Sequence, residues 1–186
     1  RLRRVSGAHS LMTRETCNDH ILLVGFMGSG KTSVSRRLSA ITGLSLIDVD
    51  YRIEAIQHRK IPRIFAEEGE EGFRRIETET LAGLKYEGRS IISCGGGIVC
   101  NPANRPILES LGTVIFLDVP LEEAIGRISN PTTRPLLSGE RPVEEIYAER
   151  MPWYREVADI TIKSSGKTVY QVANQCKKAL EREGLL

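Results

Sequence analysis

Between residues 21 and 32 four apolar residues, Ile21-Leu22-Leu23-Val24, run directly into Gly25-Phe26-Met27-Gly28-Ser29-Gly30-Lys31-Thr32, and a helical pattern follows. No other feature constrains the chain as much. The apolar run reads as a buried strand, the glycines as a tight loop, and residues 31–42 as a helix. Glycines let successive backbone N–H groups turn inward around phosphate oxygens. The helix N-terminus adds its partial positive charge. Lys31 is then placed to reach the β- and γ-phosphates of a nucleoside triphosphate, and Thr32 to offer a hydroxyl to Mg²⁺. Gly28, Ser29, Gly30, Lys31, Thr32 and Ser33 are the residues of this loop expected to bind the nucleoside triphosphate. The motif identifies a nucleotide and leaves the acceptor open.

Past the loop, strand-sized apolar runs alternate with helical patterns. The spacing predicts strands at 21–25, 44–49, 90–94, 113–119 and 159–163. It predicts helices at 31–42, 51–58, 64–87, 101–111, 121–128, 141–157 and 168–183. Such alternation implies an α/β fold, a parallel sheet with helices on both faces. Ligands of these sheets bind beyond the carboxyl ends of the strands. Residues 129–141 break the pattern with Asn, Pro, Thr, Arg, Gly and Ser, and irregular segments of this length in a compact domain are commonly functional.

Residues 1–19 are polar and Arg-rich and are expected to be a disordered leader or tag. Residues 20–186 are expected to form a single domain. In one reading residues 1–11 are an added tag and Met12 is the natural start, which goes with a cytoplasmic protein. In the other they are the end of an organelle transit peptide, which goes with the plastid stroma.

Bulk properties narrow the function classes. The formal net charge is +2, and Arg1, Arg3 and Arg4 alone contribute +3, so the rest of the chain sums to −1 and the domain itself is not basic. Aromatics make up 5%. A nucleic-acid surface would need a basic stripe or stacking aromatics on the fold. No apolar run approaches membrane-spanning length. Cys17, Cys94, Cys100 and Cys176 include no C-x-x-C pair, which argues against zinc and against a disulfide framework.

Other residues are candidates for the acceptor side. Asp48 and Asp50 flank Val49 at the end of the second expected strand, where residues two apart point to one side. Taken alone, they read as well as caps of the next helix. Arg74 and Glu77 are three apart and share a helix face. Gly95-Gly96-Gly97 follows the third strand and admits close backbone approach to a ligand. No acidic residue ends that strand, so Asp48 is the better candidate for a metal. Arg134, in Arg134-Pro135-Leu136-Leu137, suits a phosphate clamp on a closing loop. Arg127, Arg150 and Tyr154 each read equally well as surface residues.

In order and spacing, these pieces resemble the shikimate kinase family across most of residues 21–175. The resemblance rests on Gly25–Thr32, Asp48-Val49-Asp50, Gly69-Glu70 with Phe73-Arg74 and Glu77, and Gly95-Gly96-Gly97. Asn104-Arg105, Arg134-Pro135-Leu136-Leu137, and Arg150 with Tyr154 complete it. It implies a three-layer P-loop kinase fold with a five-stranded parallel sheet of order 2-3-1-4-5 and a lid at about 129–141. It implies transfer of the γ-phosphate of ATP to the 3-hydroxyl of shikimate, on the route to chorismate and aromatic amino acids, by a monomer. Lys31, Asp50 and Arg134 are then catalytic, with Arg127 and Arg134 also on ATP. Asp50, Arg74, Glu77, Gly95, Gly96, Gly97 and Arg150 bind the substrate, and Thr32 and Asp48 serve Mg²⁺. A gluconate or nucleoside-monophosphate kinase would share the loop and lid but not the aspartate pair with the triple glycine and Arg74. A GTPase would need an Asn-Lys-x-Asp signature, which is absent. A homologue that has lost catalysis should show losses at Lys31, Asp50 or the arginines, and all are present.

Overall fold

The computed structural model describes residues 16–128 and 141–186. Strand β1 (His20–Val24) is buried along its whole length. A strand apolar on both faces belongs at the centre of a sheet covered on both sides. β1 pairs in parallel with β3 (Ser90–Ser93) on one side and β4 (Gly112–Asp118) on the other. β2 (Ser45–Asp48) and β5 (Ile160–Lys163) extend the sheet outward, giving the order β2-β3-β1-β4-β5. This is the order that the resemblance implies. Leu22 stands opposite Ile92 and Val114 in the register.

The helices among the described residues are α1 (Lys31–Thr42), α2 (Val49–Gln57), α3 (Ile61–Gly83), α4 (Asn104–Leu111), α5 (Leu121–Gly126), α6 (Val143–Val157) and α7 (Val169–Arg182). Alternate strand residues sort them into two layers. Ile21 and Leu23 enter one core with Val34 and Leu38 of α1 and Val172 and Leu180 of α7. Leu22 and Val24 enter the other with Ile76 of α3, Leu108 of α4 and Tyr154 of α6. His20, wholly buried, ties the start of β1 to its neighbours. Its Nδ1 accepts the Ser90 N–H, which leaves Nε2 to donate to the Leu84 carbonyl.

Three elements depart from the sequence-based expectation. The helix expected over 64–87 starts at Ile61, ends at Gly83 and is broken at Gly69, where φ is 70° and ψ is −176°. A one-residue break leaves no mark on apolar periodicity. The helix expected over 101–111 begins only at Asn104, after a 3-10 turn at Ile98–Cys100. Asn101 Oδ1 accepts the Ala103 N–H at 3.0 Å, a turn that Asn-Pro sequences favour. β2 ends at Asp48 and α2 begins at the next residue.

Candidate active site

The loop from β1 to α1 borders a cavity of about 540 Å³ at the carboxyl end of the sheet, where this topology places ligands. Gly28, Ser29, Gly30, Lys31, Thr32 and Ser33 all line it. Lys31 is 8% exposed despite its charge. Its ammonium donates to the Gly25 and Phe26 carbonyls at 2.7 and 2.9 Å and lies 3.3 Å from Ser29 Oγ. The loop thus holds the cation at its centre, on acceptors that phosphate oxygens can replace.

Asp48 and Asp50 both face this cavity, but not for the reason that the sequence suggested. They are not two residues of one strand. Asp48 is the N-cap of α2, its Oδ1 accepting the Tyr51 N–H at 3.1 Å, and Asp50 lies in the first turn of that helix. The capping and ligand readings of Asp48 are compatible, because a carboxylate has acceptor capacity beyond one N–H. Asp50 Oδ1 lies against Gly95, where a Cβ would come within 2.8 Å of it.

Asp50, Gly95 and Gly96 also line a second, smaller cavity of about 100 Å³, together with Arg74, Glu77, Gly97 and Arg150. The two cavities therefore meet at Asp50 and the glycine turn. Arg74 Nη1 pairs with Glu77 at 2.9 Å, and Nη2 with Glu70 at 3.3 Å. The Glu77 side chain is 1% exposed and that of Arg74 12%. Burial pushes the Glu77 carboxyl above its ordinary value, and Arg74 offsets this only in part. Burial likewise works against the charge of Arg74, but Glu77 outweighs it and the guanidinium is raised. Arg74 Nε is buried without a hydrogen-bond partner. A buried unmet donor is costly. Gly97 lies under the guanidinium, and any side chain there would overlap it. Arg150 approaches the Gly96 carbonyl at 3.5 Å, and the Tyr154 hydroxyl donates to the same oxygen.

The remaining predicted residues separate. Arg127 lines the larger cavity and pairs with Glu123 at 3.1 Å. Arg105 turns away to Glu156 and the Trp153 ring. Arg134 and most of the expected lid lie outside the described residues. Ser164, Lys167 and Thr168, to which the sequence assigns no role, also line the cavity. Glu123 links Arg127 to the turn at Ser165 and Gly166 by accepting from the Ser165 hydroxyl and the Gly166 N–H. The one local signal was Thr168-x-x-Gln171, a capping box that the structure forms at the start of α7.

Comparison with known proteins bears on this arrangement. The family model described as Shikimate kinase matches residues 27–181. The chain is 40% identical over 164 residues to the shikimate kinase of Aromatoleum aromaticum, covering 87% of this chain and 94% of that one. Identity to the shikimate kinase of Halorhodospira halophila is also 40% over 164 residues, covering 87% and 93%. Among solved structures, shikimate kinase from Acinetobacter baumannii in complex with shikimate matches with a TM-score of 0.85 at 35% identity, covering 92% of this chain and 97% of that one. The Aquifex aeolicus shikimate kinase matches with a TM-score of 0.76 at 33% identity, covering 89% and 98%. A family match over most of the domain, carried by relatives that align nearly end to end, means that the chain belongs to the shikimate kinase family.

Proposed function

We propose that this chain transfers the γ-phosphate of ATP to the 3-hydroxyl of shikimate, in the synthesis of chorismate and the aromatic amino acids. One observation carries the reading beyond family membership. A phosphate-type cavity and an arginine-walled pocket share Asp50, Gly95 and Gly96 as common wall. An anionic hydroxylated acceptor needs both: a guanidinium fork for its carboxylate and a carboxylate beside its reacting hydroxyl.

Placement supports a set of roles for the described residues. The glycine loop and the N-terminus of α1 take the phosphates, and Lys31 exchanges its carbonyl contacts for phosphate oxygens. Arg127 and the 164–168 turn bound the end of the cavity open to the base. Arg74 and Arg150 take the acceptor carboxylate, with Glu77 fixing Arg74 and the Gly95–Gly97 backbone lying along the ring. Asp50 accepts the proton of the attacking hydroxyl. Arg134 is assigned a second contact to the transferring phosphate, on the resemblance of its motif. Phosphoryl transfer asks chiefly for such positioning and charge stabilisation.

Thr32 and Asp48 fit a magnesium ion. Both line the larger cavity and offer the hard oxygen donors that Mg²⁺ prefers. The described residues hold no group of three or more His, Cys, Asp or Glu suited to a metal. Such an ion would draw its other ligands from phosphates and water, which is its usual habit. When bound, it neutralises charge on the β- and γ-phosphates.

A coupled ADP-release assay with ATP and Mg²⁺ tests the reading, comparing shikimate, gluconate and a nucleoside-monophosphate panel at equal concentrations. Turnover with shikimate alone is expected. Turnover with another acceptor would keep the phosphate chemistry and discard the substrate.

A further inference from the structure

We infer that Thr78 and Asn104 are positioning residues that set the spacing of the acceptor pocket, an inference that rests on the function proposed above. Asn104 opens α4 and is 0% exposed. Its Nδ2 donates to the Ile98 carbonyl at 2.8 Å, and its Oδ1 accepts from the Thr78 hydroxyl at 2.7 Å. Both ends of a buried amide are thereby satisfied, which makes the link rigid as well as specific. Thr78 lies one turn beyond Arg74 on the same face of α3. Its hydroxyl proton is shared with the Arg74 carbonyl at 2.9 Å, and its oxygen accepts from Asn101 Nδ2 at 3.0 Å.

Ile98 follows the glycine turn directly, and its N–H donates to the Gly95 carbonyl at 3.1 Å. A continuous polar path therefore runs from the backbone behind Arg74, through Thr78 and Asn104, to the backbone of the turn. Neither Thr78 nor Asn104 lines the pocket. They act through the two walls that do. The walls approach closely, since a Cβ on Gly97 would overlap the Arg74 guanidinium and a Cβ on Gly95 would come within 2.8 Å of Asp50 Oδ1. A small shift of the turn relative to α3 changes the gap that the acceptor must fill. Misplacement on the scale of an ångström is enough to impair a bound geometry.

Thr78→Val keeps the side-chain shape and removes the hydroxyl, and Thr78→Ser restores it. At saturating co-substrate, Thr78→Val is expected to raise KM for shikimate about five- to twentyfold while KM for ATP stays within about twofold. Thr78→Ser is expected to stay within about twofold of the parent in both. A purely structural role would move the two KM values together. A folded Thr78→Val with unchanged shikimate KM, or with parallel rises in both, overturns the inference. If Thr78→Val does not fold, Thr78→Ala is compared with Thr78→Ser on the same ratio of KM values. A parent enzyme inert toward shikimate overturns the functional reading and this inference with it, so the wild-type control tells the two failures apart.

Discussion

Asp50 lines both cavities, and the role proposed for it separates from the roles proposed for the glycine loop. Asp50→Ala is expected to lower kcat by about 10²- to 10⁴-fold, the range for a lost general base, with the dissociation constant for ATP nearly unchanged. Stopped turnover with intact nucleotide binding, read by calorimetry, is the pattern to look for, and near-normal kcat would remove Asp50 from the chemistry. Glu77 makes a different prediction. Burial holds its carboxyl above the ordinary value of 4.5, so the native chain binds this proton more tightly than the unfolded chain does. As pH rises through the window that opens at 4.5, that preference is lost and stability falls by this group's share. Glu77→Gln removes the titration while keeping an acceptor for Arg74. Urea titrations at pH 4.5 and pH 7 should show the variant gaining on the parent at the higher pH, and a constant difference would refute the assignment. At this scale Lys31 is legible in the sequence, since its partners Gly25, Phe26 and Ser29 lie within a few residues. The link between Thr78 and Asn104 is not, because Asn104 enters the sequence reading only as part of a motif and nothing in the sequence joins it to a residue 26 positions away.

At the scale of elements, α3 is the informative case. Its two parts are joined at Gly69, whose backbone occupies a region essentially reserved for glycine. A Cβ there would meet nothing within 4 Å, so strain is the only penalty for adding one. Gly69→Ala is expected to cost about 1–3 kcal/mol of stability. A lower urea midpoint with an unchanged slope checks this, and an unaltered midpoint would mean that the break adapts to alanine. Helical periodicity does not reveal the bend, since apolar spacing records which face is buried and not the φ of one exposed residue. The aspartate pair teaches a related lesson. Two carboxylates two residues apart suggest strand neighbours, and they converge instead because a strand end and a helix start share the cap residue Asp48.

Across the whole molecule, the parallel sheet decides where chemistry can occur. Each crossover returns the chain to the same edge, so the ends of β1, β2 and β3 deliver the phosphate loop, the aspartates and the glycine turn to one rim. The two cores that hold the sheet rigid come from the opposite faces of the same strands. No described helix is long and apolar enough to cross a membrane. The order of apolar runs and glycines, read alone, determined the alternating α/β architecture, the nucleotide loop and the ordered set of motifs that marks the family. These are local patterns, written in contiguous residues by a fixed period or a tight turn. Only the tertiary structure decided that Asp48 caps a helix, that Arg74 lies over Gly97 with a buried unmet donor, that Glu123 links Arg127 to the turn at Ser165 and Gly166, and that Thr78 reaches Asn104. Those facts depend on distances between segments far apart in the chain, which are set by how helices pack on the sheet and leave no periodic trace in the residues themselves.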